Sequence, residues 1–281
     1  AVFERIIKQQ RNVYVSQEEN DMKKVLFVAS EGVPFIKTGG LADVVGSLPK
    51  CFDKNEYDVR VVLPKYMCMK EEYKSQMQYI THFYMDLGWR SQYVGVMGMV
   101  YDGIQFYFVD NEYYFAGPKP YGNIYEDIEK FAFFSKAALS LLPSVGFQPD
   151  IIHCQGWMSS VIPFYVKTAY HDEPQFINAK VVTSLFGEQP AGDLGEKFRR
   201  SLPFREAKAE LIEKYGDTFD AVELGKLAID YSDGVVQVDD QVNAELVRYA
   251  QSENKPLIVH PQAEAEVKGL YADFYGKLLG E

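Results

Sequence analysis

Cysteine is scarce in this sequence: three residues in 281, Cys51, Cys68 and Cys154, with no Cys-x-x-Cys spacing. That odd number and spacing suit a reducing compartment, the cytoplasm, better than a disulfide framework. Positive charge is in deficit as well. Lys and Arg number 29 against 40 Asp and Glu, a net charge of −11, which repels nucleic acid and anionic membrane surfaces. No apolar run reaches the roughly 20 residues of a membrane span, because Lys136 and Pro143 interrupt the best candidate, Phe131 to Phe147. Residues 1–22 lack the apolar middle of a signal peptide, scattering Glu4, Arg5, Lys8, Arg11, Glu18 and Asp21 instead, and read as an N-terminal extension. His82, His153, His171 and His260 stand far apart without metal-ligand spacing, so neither metal nor cofactor is expected and each histidine reads as structural. Walker A, Gly-x-Ser-x-Gly and His-Glu-x-x-His motifs are missing.

Aromatics are plentiful, with 20 Tyr and 19 Phe. Such rings suit sugar-stacking surfaces, although most belong in a packed core. Lys24-Val-Leu-Phe-Val-Ala-Ser30 is an apolar run of strand length, followed by a loop with Pro34, Gly39 and Gly40 and by helical spacing over Leu41 to Phe52. With the β-branched run Asp58 to Pro64 this makes a βαβ unit on a parallel sheet. Runs Gln92 to Met99 and Ile104 to Asp110 flank Asp102-Gly103, a tight-turn signal that predicts a hairpin inserted in the sheet. A polar loop Asn111 to Asn123 leads to a helix over Asp127 to Leu142, ended by Pro143. Strands are then predicted at Asp150 to Cys154, Ala179 to Thr183 and Gly234 to Val238. The helices between and after them are predicted at Met158 to Ala169, Glu206 to Tyr215, Ala221 to Tyr231, Asn243 to Gln251 and Val267 to Leu279. The expected fold is α/β, a Rossmann-like, mostly parallel sheet with helices on both faces, forming one domain over residues 23–281 closed by a terminal helix.

In open parallel sheets ligands bind beyond the carboxyl ends of the strands, where strand order reverses. Three loops qualify: Glu31 to Gly40, Gln155 to Met158 and Ser184 to Gly192. In the first, Lys37 stands beside Thr38, Gly39 and Gly40, which allow close backbone approach ahead of a helix N-terminus. The chemistry fits a phosphate or a sugar, while a loop lysine is ordinarily just solvated. Glu31 and Asp43 would serve as an acid/base pair only with a substrate held between them at a defined separation.

Lys37-Thr-Gly-Gly-Leu-Ala-Asp-Val-Val-Gly-Ser-Leu-Pro49 resembles the signature of glycogen and starch synthases, the ADP-glucose-dependent retaining glucosyltransferases of glycosyltransferase family 5. Arg60-Val-Val-Leu-Pro-Lys-Tyr66, Gly117-Pro-Lys-Pro-Tyr-Gly122, Phe131-Ala-Phe-Phe-Ser135 and Pro149-Asp-Ile-Ile-His-Cys154 extend the resemblance in order, from about residue 23 to 182. It implies the N-terminal half of a GT-B fold, with 281 residues leaving too little chain for the facing half that supplies most nucleotide-sugar contacts. It also implies that Lys37 approaches donor phosphates and that Asp43 lies near the acceptor glucan.

Two departures weigh against unaided catalysis. Where the family reads His-Asp-Trp, this chain reads Gln155-Gly156-Trp157 and has lost the carboxylate. Trp157 is then either a sugar-stacking plane or a packing residue at a helix start. Where the family carries Thr-x-His-Asn, Ser184-Leu-Phe-Gly187 puts Phe186 at the histidine's place, and a phenyl ring makes no such hydrogen bond. No catalytic residue is therefore assigned, and the substrate-binding candidates are Lys37, Thr38, Gly39, Gly40, Asp43 and Trp157. Two readings stand: an incomplete glucosyltransferase acting from ADP-glucose on α-1,4-glucan, completed by a partner synthase chain, and a non-catalytic module that binds glucan or regulates a full synthase.

Overall fold

The computed structural model describes residues 22–87, 90–121, 124–216 and 218–281, with backbone alone at 124–127. Apart from Met22, the extension read at residues 1–22 lies outside them, as do Gly122 and Asn123. Strand β1 (Lys23–Ala29) is wholly buried from Val25 to Ala29, so its continuous apolar run belongs at the centre of the sheet. It pairs in parallel with β2 (Tyr57–Pro64) on one side. Strands β3 (Gln78–Asp86), β4 (Ser91–Tyr101) and β5 (Ile104–Asp110) follow in the chain, and β6 (Ile151–Gln155) takes the other side of β1, also parallel. Strands β7 (Lys180–Leu185), β8 (Gly234–Gln237) and β9 (Leu257–Val259) continue outward. The nine strands order as β3-β4-β5-β2-β1-β6-β7-β8-β9.

The chain winds outward from β1 through β2, then crosses back to start again at β6, so strand order reverses between the carboxyl ends of β1 and β6. On one face Phe27 and His153 meet Phe52 and Tyr275, whose rings stack at 5.5 Å. Tyr275 belongs to the terminal helix Glu264–Leu279. On the other face Arg60, in register with Leu26, lies over Phe147 just past the helix Ile124–Ser140.

Several boundaries differ from the sequence reading. The antiparallel excursion is a three-stranded meander, β3-β4-β5, and its last strand returns to pair in parallel with β2. An edge strand with one solvated face, β3 carries almost no buried residue and so shows no apolar run. The helix expected at Leu41 to Phe52 is an α-helix, Gly40–Ser47, that tightens into a 3₁₀ turn at Leu48–Cys51, where Pro49 offers no N–H. That expected at Met158 to Ala169 divides into a 3₁₀ turn, Trp157–Ser159, and a short helix, Ile162–Lys167. Glu206 to Tyr215 holds only the 3₁₀ segment Ala209–Tyr215, and the helix Gly195–Ser201 and strand β9 are additions to the sequence reading.

Gly46 shows how tightly the first helix is docked. A Cβ there would collide with Val33 Cγ2 and sit 3.0 Å from the Val33 carbonyl oxygen, which cannot swing aside as a side chain can. Gly46→Ala should therefore lower unfolding free energy by about 2 kcal/mol, despite alanine's better helix propensity. Urea denaturation checks this, and a variant as stable as the parent would show that the loop yields freely.

Candidate functional site

The loop after β1 is held before any ligand arrives. Gly32 and Ile36 exchange backbone hydrogen bonds of 3.1 Å, and the Val33 N–H donates to the Ala42 carbonyl at 3.0 Å. Phe35 plugs the loop into an aromatic nest of Tyr73, Tyr101, Phe106 and Phe108. Lys37 to Gly40 are thereby fixed at the carboxyl end of β1, with Gly39 as N-cap of the helix Gly40–Ser47.

Beside that loop a cleft of about 210 Å³ opens, lined by Ser30, Glu31, Leu41 and Tyr121 on one side and by Gly156, Trp157, Phe186, Glu188, Gln189 and Pro190 on the other. All three loops named from the sequence thus meet at the reversal point. Trp157 is half-buried and stands edge-on to Phe131, ring centroids 4.6 Å apart. Phe186 is buried against the cleft. Tyr121 donates its hydroxyl to Ser30 Oγ at 2.8 Å, and burial pushes its phenol pKa up.

Glu31 is buried and accepts from the Thr38 N–H and, at 2.8 Å, from Thr38 Oγ. Burial raises its pKa; the Thr38 donors oppose that rise, and Glu188 adds repulsion. Glu188 is exposed, with its carboxylate over Gly39 where a Cβ would stand. Lys37 and Asp43 are drawn together away from the lining: the ammonium reaches both Asp43 oxygens at 2.7 Å, and both side chains are more than half exposed. Of the sequence candidates, Trp157 lines the cleft, Thr38 and Gly39 meet its carboxylates, and Lys37, Gly40 and Asp43 form an outer rim.

Gly156 has φ +76°, a region L side chains seldom adopt, and a Cβ would meet Leu41 at 3.1 Å. His153 is wholly buried between the Tyr275 hydroxyl at 2.6 Å and Ser184 Oγ at 2.7 Å, out of reach of the cleft lining. Its role is structural. The cysteines are free thiols. Tyr121 sits in the segment of residues 117–122 that extends the resemblance but is not among the sequence candidates, and Ser30, Glu188, Gln189 and Pro190 have no signal in the sequence beyond a place on or beside loops that leave strand ends.

Compared with known proteins, residues 24–257 match the family model of the starch synthase catalytic domain. The chain belongs to this family. It is 49% identical over 236 residues to a glycogen synthase of Lachnospira eligens, covering 83% of this chain and 48% of that protein. Identity to a glycogen synthase of Lachnoclostridium phytofermentans is 48% over 222 residues, covering 78% and 46%. The chain thus spans about half the length of these relatives. Among solved structures, the catalytic domain of Starch Synthase IV from Arabidopsis thaliana, bound to ADP and acarbose, superposes with a TM-score of 0.70. That match covers 85% of this chain and 51% of the other at 24% identity, a likeness of fold: the mostly parallel sheet of a GT-B half. Among the described residues no helix is long and apolar enough to cross a membrane.

Proposed function

We propose that this chain binds α-glucan in the Trp157 cleft as the acceptor-side half of a glycogen synthase-type unit, and that it does not transfer glucose from ADP-glucose by itself. The observation that carries this reading is the composition of the cleft. Trp157, Phe186 and Tyr121 offer aromatic surface, while Ser30 and the carboxylates of Glu31 and Glu188 offer polar partners, and sugars combine apolar ring faces with hydroxyl donors. The acarbose bound to the Arabidopsis starch synthase domain and the glycogen synthase relatives point to the same ligand class. Lys37, Thr38, Gly39, Gly40 and Asp43 would border the bound chain. The free thiols support a cytoplasmic location.

Family membership favours the transferase reading, an incomplete glucosyltransferase completed by a partner synthase chain, and the two readings share the cleft. Tryptophan fluorescence during maltoheptaose titration tests glucan binding in the cleft. A half-open groove buries little ligand, so the dissociation constant should be of roughly millimolar order, about −4 kcal/mol, and Trp157→Ala should abolish the response. A response unchanged in Trp157→Ala would move binding elsewhere.

A further inference from the structure

We propose that this chain pairs with a second copy of itself through β3, the two edge strands joining antiparallel about a two-fold axis into one continuous sheet. Dimerisation through β3 is independent of the glucan reading above.

A sheet edge offers a row of unpaired N–H and C=O groups, and proteins blunt such edges with short strands, prolines and charges. The two edges of this sheet differ in that respect. β9 has three residues, set between Pro256 and Pro261. β3 has nine, and no strand lies beyond it among the described residues. From Gln78 to Met85 it carries no proline, carboxylate, lysine or arginine. Its one irregularity, a bulge between Tyr79 and Thr81, leaves residues 81–86 in unbroken register with β4.

That regular stretch has a groove beside it. Residues 83–87, consecutive and so drawn from both faces of the strand, form one wall, and Ser140 with residues 203–205 forms the other, around a volume of about 690 Å³. Phe83 shares a face with buried Met85 yet is itself only half-buried. Directly opposite residues of an antiparallel pair share a face, so a two-fold axis between identical strands passes through one residue. Centred on Phe83, it sets the two Phe83 rings side by side at the groove, Thr81 of one copy against Met85 of the other, and exposed Tyr84 against exposed His82. The two Asp86 carboxylates fall at opposite ends of the seam, each across from Ile80, so no like charges meet there although each chain carries −11.

The contact is large enough for a stable pair. Nine residues at about 3.3 Å each give a seam about 30 Å long, and the ring layer on one face with the groove wall on the other makes it about 20 Å deep. Each copy then covers about 600 Å², about 1,200 Å² in total, the lower end of specific interfaces. The cleft at β1 and β6 lies four strand spacings inward, about 19 Å, so both copies keep it open.

Sedimentation equilibrium of the full chain is the test. The parent should be mostly dimer at about 100 µM, with a dissociation constant of about 10 µM. Tyr84 is 69% exposed, so Tyr84→Lys leaves the core intact. It should weaken dimerisation at least about tenfold, because the two-fold axis repeats the change on both sides of the seam. Val259→Lys, on the opposite edge strand, should leave the dimer unchanged. A mixture of His82→Cys chains with Tyr84→Cys chains should yield a disulfide-linked pair on mild oxidation where the parent does not, which checks the register without adding charge. A parent that stays monomeric at about 100 µM, a Tyr84→Lys chain that pairs as tightly as the parent, a dimer lost in Val259→Lys, or a mixture without cross-link overturns the proposal.

Discussion

Supplied with ADP-glucose and glycogen, the 281-residue chain should incorporate radiolabelled glucose at least about 1,000-fold more slowly than ordinary enzymes turn over, which is on the order of 1 to 1,000 per second. Stabilising charge on the departing diphosphate needs preorganised donors, and losing one such contact typically costs about 100 to 1,000-fold. Phe186 supplies no donor where the resemblance expects histidine, and Lys37 is engaged with Asp43; separately, Gly156 stands where the resemblance expects a carboxylate. Restoring one residue should not restore the rate. In Gly156→Asp the new side chain would be held at φ +76° with Leu41 at 3.1 Å from its Cβ, so strain rather than activity is expected. A parent chain turning over at about 1 per second would refute the reading of these positions.

Acid should unfold this protein through His153. Burial, reinforced by His260, holds the imidazole pKa down at about 3, against 6.5 for the free side chain. Phe27, Tyr271 and Tyr275 rings enclose it, and the Tyr275 and Ser184 hydroxyls bond its two nitrogens. As pH falls below 6.5 the unfolded chain takes up a proton that the folded chain refuses until about 3, so stability is lost through that window. Between pH 7 and pH 4 this one group should remove about 3 kcal/mol. In His153→Gln the amide can still donate and accept but cannot titrate. Urea midpoints measured across that range should therefore fall more steeply for the parent than for the variant, with carboxylate contributions common to both. Parallel curves would mean that the buried imidazole accepts its proton without unfolding.

How much of this is legible in the sequence follows from what kind of signal each element carries. β1 and β2 can be read because both faces of a central parallel strand are covered, which leaves continuous runs such as Val25 to Ala29. β3 cannot, since its exposed Tyr79, His82 and Tyr84 alternate with few buried partners. Short β9 has only three residues, none fully buried. The site is legible to the level of loops: those after β1, β6 and β7 do meet, as a parallel sheet with a reversal between β1 and β6 requires. Which side chains face the ligand is not. Lys37 looks free in sequence, but Asp43, in the first turn of the helix that follows, neutralises it. Glu188 looks like an ordinary loop residue, and only the close approach of two chain segments sets it over Gly39.

Binding of glucan at the reversal point is the claim on which the rest depends, and amide-shift mapping during a maltoheptaose titration tests it most directly. The outer end of the sheet offers a built-in alternative, because Tyr79, Tyr84 and Tyr93 present exposed rings on the edge strand β3 and its neighbour β4, away from the cleft lining. Saturable shifts are expected at Gly39, Gly40, Gly156 and Trp157, at roughly millimolar sugar, with the signals of Tyr79, Tyr84 and Tyr93 unmoved. Shifts confined to those three tyrosines, or none anywhere at saturating sugar, would contradict it.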